Sequence, residues 1–148
     1  MSILKIDQIA EKEIVRHSEE TYPEECCGFL FGKDNGEERK IIEAIPAENI
    51  KNENRKKRFE ISPEEYMGAE KYALKNDLDL LGIYHSHPDH PAIPSKHDYR
   101  QASPFFSYVI SSIRKGKYVK MTSWQLDEDR RFQSETIETI DQKQLREQ

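Results

Sequence analysis

The stretch HSHPDHPAIPSKHD, His85 to Asp98, holds four of the five histidines of this 148-residue chain, with three prolines and two aspartates. It follows directly on LDLLGIY (78–84), a short apolar run that reads as a buried strand. Side chains alternate along a strand, so Ile83, His85 and His87 share one face while Tyr84 and Ser86 take the other. The α-carbons of His85 and His87 then stand about 6.6 Å apart, close enough for both imidazoles to lean onto one ion. A catalytic zinc takes three protein ligands and leaves a fourth position for water, so the loop must supply one more. Asp89, His90, His97 and Asp98 are the candidates. The prolines restrict how the chain turns back, and Ser95-x-x-Asp98 reads as the opening of a short helix whose first turn fixes the Asp98 carboxylate. That favours Asp98; His90 and His97 read as loop residues.

The flanking sequence supplies a frame for this loop. Asp7 can cap a helix with Ala10, Ile14 and Thr21 near one face, ended by Pro23, with His17 on the helix surface. CCGFLFG (26–32) reads as a second buried strand, and the turn signal Asp34-Asn35-Gly36 returns KIIEAIP beside it. NIKNENRKKR (49–58) has almost nothing to bury and reads as a surface loop. Ser62, Pro63 and Glu65 form a capping box with proline at the first helical position, followed by Tyr66, Ala69 and Ala73 at helical spacing. FFSYVISSI, a turn at RKGK and YVKMTSWQL give a further hairpin. The order predicts one domain over residues 1–140 of α/β class, α+β type, with a mixed sheet flanked by helices and a polar tail over 141–148.

Composition narrows the function classes. A net charge of −5 gives no general attraction to nucleic acid or anionic lipid. No apolar run approaches the length of a membrane span, and the opening MSILKIDQIAEKE meets charge before a signal-peptide core forms, so a cytoplasmic protein is expected. Cys26 and Cys27 are neighbours; a bridge between them demands strained geometry, and reduced thiols are expected. Their apolar surroundings disfavour a thiolate nucleophile. The sequence fixes no oligomeric state.

Other metal motifs share part of the pattern. HSHPDH fits the HxHxDH string of metallo-β-lactamase-type hydrolases, but those need two further separated histidines and a longer chain, and only His97 remains after His90. A cupin-like site would need a glutamate shortly after the second histidine, and none is there. Two histidines with one carboxylate also suit iron in a facial triad, so ligand type alone leaves the metal open.

The full set of residues resembles the JAMM (MPN-plus) family of zinc metallopeptidases, whose signature is an upstream glutamate, HxHP, a spacer and SxxD. The matching pieces are Glu25 in EECCGFLFG, His85-Ser86-His87-Pro88 and Ser95-Lys96-His97-Asp98, and the likeness extends through RFEISPEEYMGAEKYA and the closing hairpin. The resemblance implies a single cytidine-deaminase-like JAMM/MPN domain and one zinc ion held by His85, His87 and Asp98. It implies Glu25 as general base and Ser95 as donor to the developing oxyanion. It further implies a compact prokaryotic hydrolase that cuts an amide or isopeptide bond after the glycine tail of a ubiquitin-like protein. The expected partner is a small β-grasp sulfur carrier, with release of an amino acid such as cysteine. Deconjugation from lysine and a non-catalytic interaction module are the alternatives. RKKR (55–58) is read as a solvated basic segment, with an acidic carrier surface as its possible contact.

Overall fold

The computed structural model describes residues 2–141, so nearly all of the polar tail expected from Asp141 lies outside the described residues. Its elements are β1 (Ile3–Asp7), α1 (Gln8–Thr21), β2 (Cys27–Asp34), β3 (Glu38–Ala47), α2 (Pro63–Lys75), β4 (Asp79–Pro88), α3 (Lys96–Gln101), β5 (Ser107–Arg114), β6 (Lys117–Leu126) and β7 (Phe132–Ile140). The strands close into a barrel in the order β1-β3-β2-β4-β5-β6-β7. The sheet is mixed, as expected: β1 runs parallel to β3 and β7, β4 runs parallel to β5, and the remaining pairs are antiparallel.

Local chemistry explains most boundaries. Asp7 Oδ2 accepts the Ile9 N–H at 3.1 Å and starts α1, which buries Ala10, Ile14 and Ser18. The expected third buried position was Thr21, which stands half-buried at the helix end, while Ser18 takes the place inside. The β2–β3 turn uses Gly36 at φ +96°, and the β5–β6 turn places Lys115 and Gly116 both at positive φ, as a two-residue hairpin loop requires. Ser62 Oγ accepts the Glu65 N–H and caps α2, but the reciprocal half of the predicted box is absent: the Glu65 carboxylate accepts from Glu48 N–H at 3.0 Å instead. That diverted carboxylate ties α2 to the end of β3.

Two apolar clusters fill the fold. Cys27, Phe29, Phe31, Phe59, Ile61, Ala69, Ala73 and Ile83 pack between the sheet and α2. Leu4, Ile6, Ala10, Ile14, Leu30, Ile41, Leu81, Tyr84 and Val109 pack around α1 on the other face of the sheet. Both faces of β2 and β4 are therefore buried, which is why their sequences run apolar without alternation. Gly28 makes one close approach possible, because a Cβ there would meet Tyr84 Cε2 at 2.2 Å. Tyr84 in turn reaches His17, whose Nδ1 lies 2.7 Å from the phenol oxygen; His17 is half-buried rather than a free surface histidine.

Two strands were not read from the sequence. β1 is only five residues long and gains its partners from β3 and β7, remote in the chain. β7 turns Glu135 inward, where it accepts hydrogen bonds from Ser2 and Ser123, so a buried carboxylate stands where an apolar residue would have marked the strand. No helix among the described residues is long and apolar enough to cross a membrane.

Candidate active site

His85 and His87 lie at the end of β4, on the same face as Ile83, and Pro88 ends the strand. The antiparallel register that pairs Cys27 with His85 carries the chain just before β2 opposite His87, which brings Glu25 to the histidines from sixty residues away in sequence. Cys26 continues the pairing: its N–H donates to Ser86 Oγ at 2.9 Å, and its carbonyl accepts from Ser86 N–H at 3.2 Å. Ser95 and Asp98 form a complete capping box at the start of α3. Asp98 N–H donates to Ser95 Oγ at 3.0 Å, and Ser95 N–H donates to Asp98 Oδ2 at 2.9 Å.

This box aims Asp98 at the histidines. His85 Nε2 lies 3.2 Å from Asp98 Oδ1, His87 Nε2 lies 3.0 Å from Oδ2, and the two Nε2 atoms are 3.2 Å apart. All three side chains are buried. Phe59 stacks on His85, ring centroids 4.7 Å apart, and the Pro91 carbonyl lies 2.8 Å from His87 Nδ1, so each ring has a fixed orientation. Such a carbonyl on the second imidazole nitrogen leaves Nε2 free to act as a ligand. Burial alone would raise the Asp98 pKa, but the His85 charge and hydrogen bonds from both histidines hold its carboxyl far below the usual range. Burial would lower His87, yet Asp98 raises it overall.

These donors suit a metal. Tetrahedral bonds of 2.0–2.1 Å set ligand atoms about 3.3 Å apart, close to the separations observed here. Two imidazole nitrogens and a carboxylate facing one point have three lone-pair directions to satisfy, which a single proton cannot do and a divalent cation can.

Glu25 is 3% exposed, and its Oε1 has no hydrogen-bond partner among the described residues. Burial pushes its carboxyl up to about 8, with His87 opposing the shift and Asp98 adding to it. A cation beside it would favour the ionised form. Glu25, His87 and Ser95 line one cleft of about 320 Å³, whose walls also include Lys57, His90 and Ile93. Ser95 Oγ accepts from Asp98 N–H, leaving its O–H free to donate into that cleft. The structure thus brings together all five residues singled out in the sequence.

It also adds some. His90, read as a loop residue, forms part of the cleft wall, and of RKKR only Lys57 does so. No local pattern marks either one. His97, the other loop histidine, instead contacts Gln101 on α3. Cys26 and Cys27 are free thiols buried in the two apolar clusters, and burial pushes both thiols up.

Comparison with known proteins agrees with this geometry. The family model for prokaryotic homologs of the JAB domain matches residues 7–127. A desampylase of Pyrococcus furiosus is 34% identical over 105 residues, 70% of this chain and 68% of that protein. A desampylase of Haloferax volcanii is 33% identical over 116 residues, covering 75% and 81% respectively. A probable TtuB-protein conjugate cleaving protease of Thermus thermophilus is 33% identical over 88 residues, 60% of this chain and 55% of that one. The solution structure of a protein from Desulfitobacterium hafniense superposes with a TM-score of 0.82 at 30% identity, over 94% of each chain. With Glu25, His85, His87, Ser95 and Asp98 all inside the matched span, the chain belongs to the prokaryotic JAB-domain family and is a peptidase of the JAMM type.

Proposed function

We propose that this protein is a zinc-dependent hydrolase of the amide bond that follows the glycine tail of a ubiquitin-like β-grasp protein. One observation carries the reading: a buried carboxyl with an unpaired oxygen shares a cleft with His87 of a convergent His-His-Asp cradle. His85, His87 and Asp98 would hold the ion, through Nε2, Nε2 and the carboxylate. When bound, zinc supplies a Lewis acid that polarises a carbonyl and acidifies a water.

The chain's own groups do the rest. Glu25 takes the attacking water's proton on its carboxylate and returns it to the leaving amine; its burial keeps bulk water from competing for that proton. Ser95 donates a hydrogen bond from its hydroxyl to the oxygen that gains charge as the carbonyl is attacked, an interaction worth most in the transition state. The free cleft beside Glu25 accommodates a narrow, extended tail, and glycines can approach the ligands with no side chain in the way.

The leaving group is either one amino acid, such as cysteine, carried by a sulfur-carrier protein, or a lysine of a conjugated protein. The names of the relatives from Pyrococcus, Haloferax and Thermus favour protein conjugates for this chain too. Incubating the zinc-loaded protein with a β-grasp carrier extended by cysteine, and separately with the same carrier joined to lysine, separates the two by product mass. Regeneration of the free glycine terminus from either supports hydrolysis after the carrier tail. Failure on both, in a protein that also holds no zinc, leaves a non-catalytic interaction module.

A further inference from the structure

The segment from Asn49 to Arg58 reads as a surface loop, and its charged side chains from Glu53 to Arg58 are indeed exposed. Its backbone does something else. Asn49 Oδ1 accepts the N–H groups of Lys51 and Glu60, both at 3.1 Å, and Asn49 Nδ2 donates to the carbonyls of Arg58 and Glu25, both at 3.1 Å. The four partners are two donors and two acceptors, so only one orientation of the carboxamide satisfies them, and it uses all of its hydrogen-bonding capacity. Ile50 N–H donates to the Glu60 carbonyl at 2.9 Å and closes the neck of the loop.

Both backbone polar groups of Glu25 are held by this loop and not by the sheet. Its carbonyl accepts from Asn49, and its N–H donates to the Arg55 carbonyl at 2.7 Å. β2 begins only at Cys27. The Glu25 side chain, by contrast, has an unpaired Oε1, so no hydrogen bond at that oxygen fixes it. A carboxylate that must take up and release a proton cannot be tightly bonded at the reacting oxygen, and its placement has to come from the backbone that carries it. Phe59, near the loop's other end, stacks on His85, so the one loop contacts both Glu25 and a histidine of the cradle.

We propose that Asn49 is the positioning residue of Glu25, and that it makes the 49–60 loop part of the catalytic frame. The inference rests on the reading of Glu25 as proton acceptor. Asn49→Asp is the sharpest variant, because it is isosteric and keeps both acceptor bonds, but turns a lone pair toward the Glu25 and Arg58 carbonyls.

The test is a double-mutant cycle on the zinc-loaded full chain, with the lysine-linked carrier conjugate as probe. A misplacement of about 1 Å can cost about 100-fold in rate, so Asn49→Asp is expected to lower kcat by about that factor, with KM changed less than about twofold. In the Glu25→Gln background the same substitution is expected to change kcat hardly at all, because the group it positions is gone. Hydrogen exchange on the metal-free protein gives an activity-independent readout: Asn49→Asp should speed exchange at the Glu25 amide while Phe29 and Leu30 in β2 stay protected. Equal losses of kcat in both backgrounds, unchanged exchange at Glu25, or loss of protection throughout β2 would each overturn the proposal. If the wild-type protein cleaves no conjugate, the functional reading fails, and the exchange measurement still decides whether Asn49 holds Glu25.

Discussion

Glu25 and Asp98 are both buried carboxyls in one site, yet their surroundings push them apart. Asp98 is ion-paired with two imidazoles and held ionised, while Glu25 is desolvated with one oxygen unpaired and pushed up to about 8. That contrast suits Asp98 to the proposed role of ligand and Glu25 to that of base, and predicts different losses. Glu25→Gln is expected to keep its zinc by elemental analysis and to lose conjugate cleavage by at least about 100-fold; Asp98→Ala is expected to lose both. Full activity in Glu25→Gln would remove it from the mechanism. Away from the cleft, a Cβ at Gly28 would drive into the Tyr84 ring and break its contact with His17. Gly28→Ala should cost about 1–3 kcal/mol in urea unfolding, as overpacked cores do. His17 also carries a pH dependence. Burial holds its imidazole below the ordinary value, with Arg16 adding to the effect. The unfolded chain therefore takes up a proton first on acidification. His17's contribution to stability is complete above about pH 6.5 and declines as pH falls through its lower folded value. The stability difference between wild type and His17→Gln should shrink from pH 7.5 to pH 5; a constant difference would place His17 in ordinary solvent.

Helix α3 is six residues long, too short to stand on propensity, and its capping box is the reason it forms where it does. The same two bonds orient Asp98, so Ser95, the proposed cleft donor, is also the helix cap. Ser95→Ala should lower stability by about 0.5–2 kcal/mol through the lost cap and kcat by about 100-fold or more through the lost donor. Ser95→Asp restores a capping acceptor without a hydroxyl and should regain stability but not rate; recovery of both would show that the cap alone mattered. On the strands, the β2–β4 register does comparable work. A bulge between Leu30 and Phe31 leaves Leu81 as an extra residue in β4 and shifts the alternation, so that Leu80 and Ile83, three residues apart, face one cluster while Leu81 and Tyr84 face the other.

The barrel gathers the candidate ligands from β4 and α3 and the proposed base from the approach to β2, so a metal ion in the cradle would tie these segments together only in the folded state. Zinc should then stabilise the protein by mass action, about 4 kcal/mol at a free-ion concentration one thousand times the Kd, or roughly 10 °C in Tm for a chain of this length. Chelation should reverse the shift, and Asp98→Ala should abolish it. A melting curve indifferent to zinc and chelator would count against a metal centre.

HxHP and SxxD lie within fourteen residues of one another, and strand alternation with a one-turn helix cap was enough to point to His85, His87 and Asp98 as candidate ligands. The caps of α1 and α2 and both hairpin turns were legible for the same reason: their geometry is set by neighbours a few positions away. β1 and β7 were not, because a five-residue strand and a strand with an inward glutamate are stabilised by remote partners rather than by their own patterns. Residue chemistry alone did not give Glu25 its proposed role, which entered through resemblance; its place beside His87 comes from the register of two strands sixty residues apart. The bonds from Asn49 and Arg55 that hold it, and the entry of Lys57 and His90 into the cleft, depend on which buried polar groups the folded chain leaves in need of partners. Hydrogen bonds within a turn are fixed by covalent geometry, whereas those between distant segments exist only after the core has brought the segments together.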